Sequence, residues 1–199
     1  MRQIALPLSD GAGRQASRIV IGNANVSVVD ALQEPAKWPF GTAILFGPPR
    51  SGKSLLANWF ASTGAGEIVD DADRVDEDEL FHCWNRAQES GKPLLLVCSV
   101  KQGDWRIALP DLASRVGSAL HLQIGDPDDE MLAHLILLFA EMRGLALDQS
   151  ATAYLVPRCV RSHIGAEHLV AAIDRLSLEH KQAPTMAIWR EALAETVRD

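Results

Sequence analysis

Cysteine is scarce in this 199-residue chain: Cys83, Cys98 and Cys159 stand far apart and are odd in number. No disulfide framework and no zinc-finger spacing fits them, which points to a reducing compartment. A basic excess is missing as well. The 19 Lys and Arg face 26 Asp and Glu, for a net charge of −7. That argues against a broad phosphate-binding surface of the kind nucleic-acid proteins carry. Long hydrophobic runs are also lacking, since the longest, MLAHLILLFA at 131–140, is interrupted by His134 and falls far short of the roughly 20 residues of a membrane helix. Nor does the start read as a secretion signal, because only a handful of apolar residues separate Arg2 from Ser9-Asp10-Gly11. These absences leave a globular cytoplasmic protein as the expectation.

What is present supports a core of real size: 47% of the residues are apolar and 23% charged, enough for one domain or one domain with a small satellite. The six histidines show no ligand spacing, so no metal is expected beyond one that a nucleotide brings. Trp38, Trp59, Trp84, Trp105 and Trp189 read as packing residues rather than stacking platforms for bases.

The chain opens with QIALPL, Gln3 to Leu8, which reads as a first core strand, a secretion signal or a peptide for another protein's pocket. It is too short to bury itself, and Pro7 removes a ladder donor. Residues 1–10 are taken as a terminal peptide and 11–17 as a flexible linker of Gly, Ser and Ala. From 18 to 125, short apolar runs alternate with helical patterns: TAILF, a helix from Lys53, EIVDD, an amphipathic helix closed by Gly91, LLLVCS, LPDLASRV and ALHLQI. Such alternation predicts an α/β fold with a parallel sheet. Beyond Gly125 only helices are expected, near 127–143, 149–157, 163–181 and 185–197. Asp126 reads as the first cap and Pro127 as the first helical residue. Residues 126–199 are thus a helical lid on the base.

The sharpest motif is GPPRSGKS, Gly47 to Ser54, which fits G-x-x-x-x-G-K-[ST] between a predicted strand and a predicted helix. In such a loop the backbone N–H groups of Gly47, Pro48, Pro49, Arg50, Ser51 and Gly52 (the prolines excepted) converge on phosphate oxygens at the positive end of the next helix. Lys53 neutralises phosphate charge, Ser54 offers a hydroxyl to magnesium, and Leu55 completes the nucleotide contact. The expected cofactor is ATP or ADP with Mg2+. A P-loop also needs carboxylates on a neighbouring strand. Asp70 is placed for the magnesium shell and Asp71 to polarise a water. The other acids of DDADRVDEDE read as a solvated helix start favoured by the macrodipole. Arg115, in LPDLASRV, is either a surface ion pair or a finger reaching a phosphate held by a neighbouring subunit.

The order of RIVIGNAN, GPPRSGKS, IVDDAD, ELFHCWN and LPDLASRV, followed by a helical lid, resembles the AAA+ domain of the bacterial initiator DnaA. It is more similar still to the Hda group of DnaA-related regulators. FHCWN resembles the Phe-His-x-Phe-Asn run of that group, and LPDLASR its arginine-finger box. The resemblance implies that Gln3, Ile4, Leu6, Pro7 and Leu8 form a peptide for the cleft of the DNA sliding clamp. It also implies that Arg115 acts in trans on ATP held by DnaA, so that the chain is a negative regulator of replication initiation at the nucleoid. Direct sequence-specific DNA binding is not expected, and a homo-oligomer is compatible.

Three departures from that pattern bear on the chain's own chemistry. Lys53 and Asp70 are too close for the usual additional strand and helix, so a four-stranded sheet ordered 120–124, 42–46, 94–98, 67–70 is expected. Val100 falls where a polar sensor is usual, with Ser99 beside it. Glu167 falls where the lid's arginine sensor is usual, with Arg161 nearby, and Pro157 is placed to break a lid helix. Weak or absent ATP turnover by the chain itself follows. A stand-alone P-loop ATPase or kinase, and a clamp-bound adaptor without stimulating activity, remain the alternatives. The peptide reading predicts that Gln3→Ala/Leu6→Ala abolishes capture of the chain on immobilised sliding clamp, measured by surface plasmon resonance, whereas the untouched chain binds.

Overall fold

The computed structural model describes residues 18–196; the peptide Gln3–Leu8 lies outside them. Four parallel strands, β1 (Thr42–Phe46), β2 (Glu67–Val69), β3 (Leu94–Val97) and β4 (Leu120–Gln123), form one sheet in the order β2-β3-β1-β4. This is the expected order, with β1 and β3 inside and paired in register from Thr42↔Leu94 to Leu45↔Val97. Strands read as unbroken apolar runs when both faces of a sheet are covered. That is the case here, since every residue of β1 and β3 is buried.

The helices of this part are α1 (Val26–Gln33), α2 (Lys53–Ser62), α3 (Glu77–Ser90) and α4 (Pro110–Ser118). On one face of the sheet, Ile44, Phe46, Leu94, Leu96 and Cys98 pack with Leu80 and Ala87 of α3 and Leu112 and Val116 of α4. Strand alternation sends Ala43, Leu45, Leu95 and Val97 to the other face, and α2, whose Leu56, Ala57 and Phe60 are buried, packs on β2 and β3. Trp38 stacks on Phe60 at 5.2 Å and donates its indole N–H to the Ala31 carbonyl at 2.8 Å, so it is a packing residue. The amphipathic α3 begins where Asp76 accepts from the N–H groups of Asp78 and Glu79, and ends at Gly91 with φ 67°. These are a side-chain N-cap and a left-handed glycine stop.

The chain divides into two compact units, one spanning Asn25–Gly125 and the other joining Val20–Ala24 to the residues from Asp126 onward. The second contains α5 (Asp129–Met142), α6 (Gln149–Leu155), α7 (His163–His180) and α8 (Met186–Thr196). Its core runs along α7, which packs on both α5 and α8. The first helix starts later than the sequence suggests: Asp128, not Asp126, is the cap and accepts from the Met131 N–H at 2.8 Å. The reason is Asn23, whose side chain donates to the Asp126 carbonyl and accepts from the Asp128 N–H. That pair of bonds holds 126–128 as non-helical chain. Pro157 acts as expected: α6 closes at Leu155 and 156–158 tighten into a 3₁₀ turn.

β2 is only three residues long and forms an edge, so its placement depends on a close approach at Gly66. A Cβ there would lie 2.3 Å from the Pro93 carbonyl oxygen and 2.7 Å from the Phe60 ring. Gly66→Ala is therefore expected to destabilise the fold by about 1–3 kcal/mol through overpacking, read as a lower urea midpoint with unchanged slope.

Candidate nucleotide site and arginine finger

β1 delivers the chain into the 47–54 loop, and α2 begins at its end. The loop turns through Arg50 at φ 63° and Gly52 at φ 87°, and Gly52 starts α2 without any side-chain cap. Gly47 has no room for a side chain, since a Cβ would stand 2.9 Å from Ile124 and 3.0 Å from the Ser51 hydroxyl. Ser51 is buried, and its Oγ has no hydrogen-bond partner. Buried hydroxyls are rarely left so, and an oxygen-rich group in the loop would satisfy it. Lys53 Nζ donates to the carbonyls of Gly47 at 2.8 Å and Pro48 at 3.2 Å. Burial pushes its pKa down, against the opposing pull of Asp70, Asp71 and Asp73. An uncapped helix start, a partnerless hydroxyl and a cation resting only on carbonyls are the features a phosphate group fits.

Ser54 is exposed on the first turn of α2 and Leu55 is half-buried, while Pro48 is half-buried and Pro49 exposed. Among the described residues no group of three or more His, Cys, Asp or Glu side chains could hold a metal. Ser54 and Asp70 would therefore hold magnesium only together with phosphate oxygens.

β2 ends at Val69, so Asp70 and Asp71 follow it directly, both exposed, and Asp71 turns the chain at φ 50°. The carboxylate with the firmest attachment is Asp73, one of the acids that read as surface in the sequence. It accepts from the Ser99 N–H at 2.6 Å and from the Ser99 hydroxyl at 2.5 Å, at the end of β3. Partial burial works against its charge, but the Ser99 bonds, joined by a backbone N–H of its own residue and the Arg74 charge, together hold its carboxyl below the usual value. Ser99 is thus already engaged, and Val100 packs against the core. The signal in the sequence was the four-residue DDAD with Ser99 after the next strand, but spacing alone did not single out the fourth position. Beside this pair, burial and then the Asp73 charge push the Cys98 thiol up to about 12, so it stays neutral.

Arg115 lies in the last turn of α4. It is no surface ion pair. Its Nη1 donates to Asn85 Oδ1 at 2.6 Å, and its guanidinium carbon lies 4.2 Å from the centroids of both Phe81 and Trp84. All three partners come from FHCWN on α3, so the structure brings together two motifs thirty residues apart. Stacking on rings leaves guanidinium edges available for phosphate. In the helical unit, Glu167 is half-buried on α7, and Arg161 pairs with Asp129 at 2.7 Å.

This is the architecture of a P-loop α/β domain with an AAA+ fold. No protein-family model matches the chain. Among solved structures, domain III of the Thermotoga maritima initiator DnaA aligns with a TM-score of 0.74 at 14% identity, over 91% of this chain and 95% of that one. Aquifex aeolicus DnaA bound to AMPPCP aligns at 0.61 and 15% identity, over 81% and 64% respectively. The Thermotoga maritima Holliday-junction branch-migration motor RuvB aligns at 0.60 and 17%, over 87% and 69%. The fold is therefore DnaA-like AAA+, and at these identities the likeness is one of fold. No helix among the described residues is long and apolar enough to cross a membrane.

The Asp73–Ser99 pair has a pH signature. A carboxyl held below its ordinary value of 3.8 contributes stability that is full above that value and lost as pH falls through the lower folded value. Asp73→Asn is expected to flatten the acid limb of the stability–pH curve and leave the neutral-pH fold in place, as measured by urea unfolding between pH 2 and 7.

Proposed function

We propose that this chain is a DnaA-directed regulator of the Hda type, which promotes hydrolysis of ATP held by DnaA while tethered to the DNA sliding clamp. The observation that carries the reading is Arg115. Apart from its bond to Asn85, its N–H donors have no partner among the described residues, while two rings and an amide fix where the guanidinium sits. A preorganised guanidinium brought to the phosphates of a neighbour's ATP stabilises the charge that develops as the terminal phosphoryl group departs. One such residue accelerates hydrolysis by about 10³–10⁵.

In this reading the chain's own P-loop holds ADP or ATP through the 47–54 backbone, Ser51 and Lys53, with Ser54 and Asp70 toward Mg2+. Its role is chiefly structural. Asp71 is exposed and fixed only by its own turn, and Ser99 is taken by Asp73, so neither is poised to read a terminal phosphate. Gln3, Ile4, Leu6, Pro7 and Leu8 supply the clamp hook, and the clamp on DNA supplies proximity, raising the effective concentration of the chain at DnaA. Action is at the replisome in the cytoplasm, without sequence-specific DNA contacts. Self-association by the same head-to-tail surfaces is compatible with the reading.

The test is hydrolysis of labelled ATP prebound to DnaA in the presence of DNA-loaded clamp. The intact chain is expected to accelerate it at least tenfold. Arg115→Ala should remove the acceleration while retaining clamp binding, and Gln3→Ala/Leu6→Ala should remove both. Steady phosphate release by the chain alone would favour a stand-alone ATPase or kinase. Clamp binding without stimulation would leave an adaptor.

A further inference from the structure

The arginine box has a second anchor that its own sequence does not contain. α4 is nine residues long, starts at Pro110, and has no side-chain cap of its own at Leu109. The cap comes instead from α3. One oxygen of Glu77 accepts from the Ala108 N–H at 2.9 Å and the other from the Leu109 N–H at 2.6 Å. Both bonds are charge-assisted, and the carboxylate sits at the positive end of α4, where negative charge is favoured. Glu77, Phe81, Trp84 and Asn85 are spaced i, i+4, i+7, i+8, which is a single face of α3. That face grips α4 at its first residues and again at Arg115.

These grips differ in kind from the apolar contact beneath them. The buried side chains of α4, Leu112 and Val116, pack by shape alone and hold the helix against the sheet. The Glu77 bonds are directional and fix the axial position. A slip of a single residue moves Arg115 by about 1.5 Å, and misplacement of about 1 Å at a reacting centre costs on the order of 10²-fold in rate. Asp73 holds the other end of the same connection at Ser99. The chain from Ser99 to Leu109 is thus pinned at both ends by carboxylates within one stretch of five residues.

We infer that Glu77 is a positioning residue for Arg115, setting the axial register of α4 and hence the placement of the finger. This rests on the proposed action of Arg115 in trans. The experiment measures the hydrolysis of DnaA-bound ATP against concentration of this chain, for the intact chain, Glu77→Ala, Glu77→Gln and Arg115→Ala, with hydrogen exchange at Ala108 and Leu109 followed in parallel. Glu77→Ala is expected to lower the maximal stimulated rate tenfold or more with the half-saturating concentration within twofold of the intact chain. The amide oxygen of Glu77→Gln can accept one of the two bonds, so that variant should recover part of the rate. Exchange at Ala108 and Leu109 should speed up in Glu77→Ala while the β1 and β3 amides stay protected. Adding Glu77→Ala to Arg115→Ala should cost nothing further.

An intact chain that stimulates alongside a Glu77→Ala chain of equal maximal rate overturns this inference and leaves the proposed function standing. A higher half-saturating concentration with lost β1 and β3 protection also overturns it, since that is general destabilisation. An intact chain that stimulates nothing overturns the proposed function, and the role of Glu77 with it.

Discussion

Burial of β1 and β3 from both sides is the constraint on which the Asn25–Gly125 unit depends. Two interior strands with no exposed face cannot shift register without turning core side chains outward or against a helix. Their C-terminal ends therefore emerge at fixed points. Gly47 leaves β1 there and Ser99 follows β3 there, so the 47–54 loop and the residue that holds Asp73 are both placed by the same apolar pairing. The short edge strand β2 adds Asp70 and Asp71 at the same end of the sheet, through the tight passage at Gly66.

At that end the charges are unbalanced. Lys53 rests on carbonyl oxygens and is partly desolvated, while three aspartates lie close enough to favour its charged form. Asp73 is spoken for by two hydrogen bonds; Asp70 and Asp71 are exposed. Such an arrangement suits an anionic ligand that brings its own cation better than it suits a metal alone, since among the described residues no three carboxylates, imidazoles or thiols converge to hold one. The buried Ser51 hydroxyl without a partner belongs to the same picture.

The Arg115 side of this unit follows a different logic. α3 is a platform: its apolar positions Leu80 and Ala87 bury against the sheet, and an adjoining face carries the groups that hold α4. The acidic first turn of α3 looks in the sequence like a solvated helix start. Asp76 does cap the helix, but Glu77 turns away to serve a neighbour's N–H groups. One turn of acids therefore contains a local cap and a long-range one, and composition does not distinguish them.

Local signals sufficed wherever a feature depends on residues near in the chain. The apolar runs of β1 and β3, the G-x-x-x-x-G-K-S loop with its strand and helix, the Gly91 stop and the break at Pro157 were legible because period and turn chemistry are encoded within a few residues; the strand order is not local and was legible only through the resemblance to a DnaA-like sheet. The start of α5 was misplaced by two residues because Asn23, a hundred positions away, ties down 126–128. Asp73, Glu77 and the ring-and-amide seat of Arg115 were illegible for the same reason. Each is a polar side chain whose partner lies 26 to 32 residues away, and a carboxylate or guanidinium in sequence carries no mark of which distant group it will meet. Sequence alone determined the elements and the G-x-x-x-x-G-K-S loop between β1 and α2; only tertiary packing decided which charges are pinned, because directional hydrogen bonds form only after the helices have been seated on the sheet.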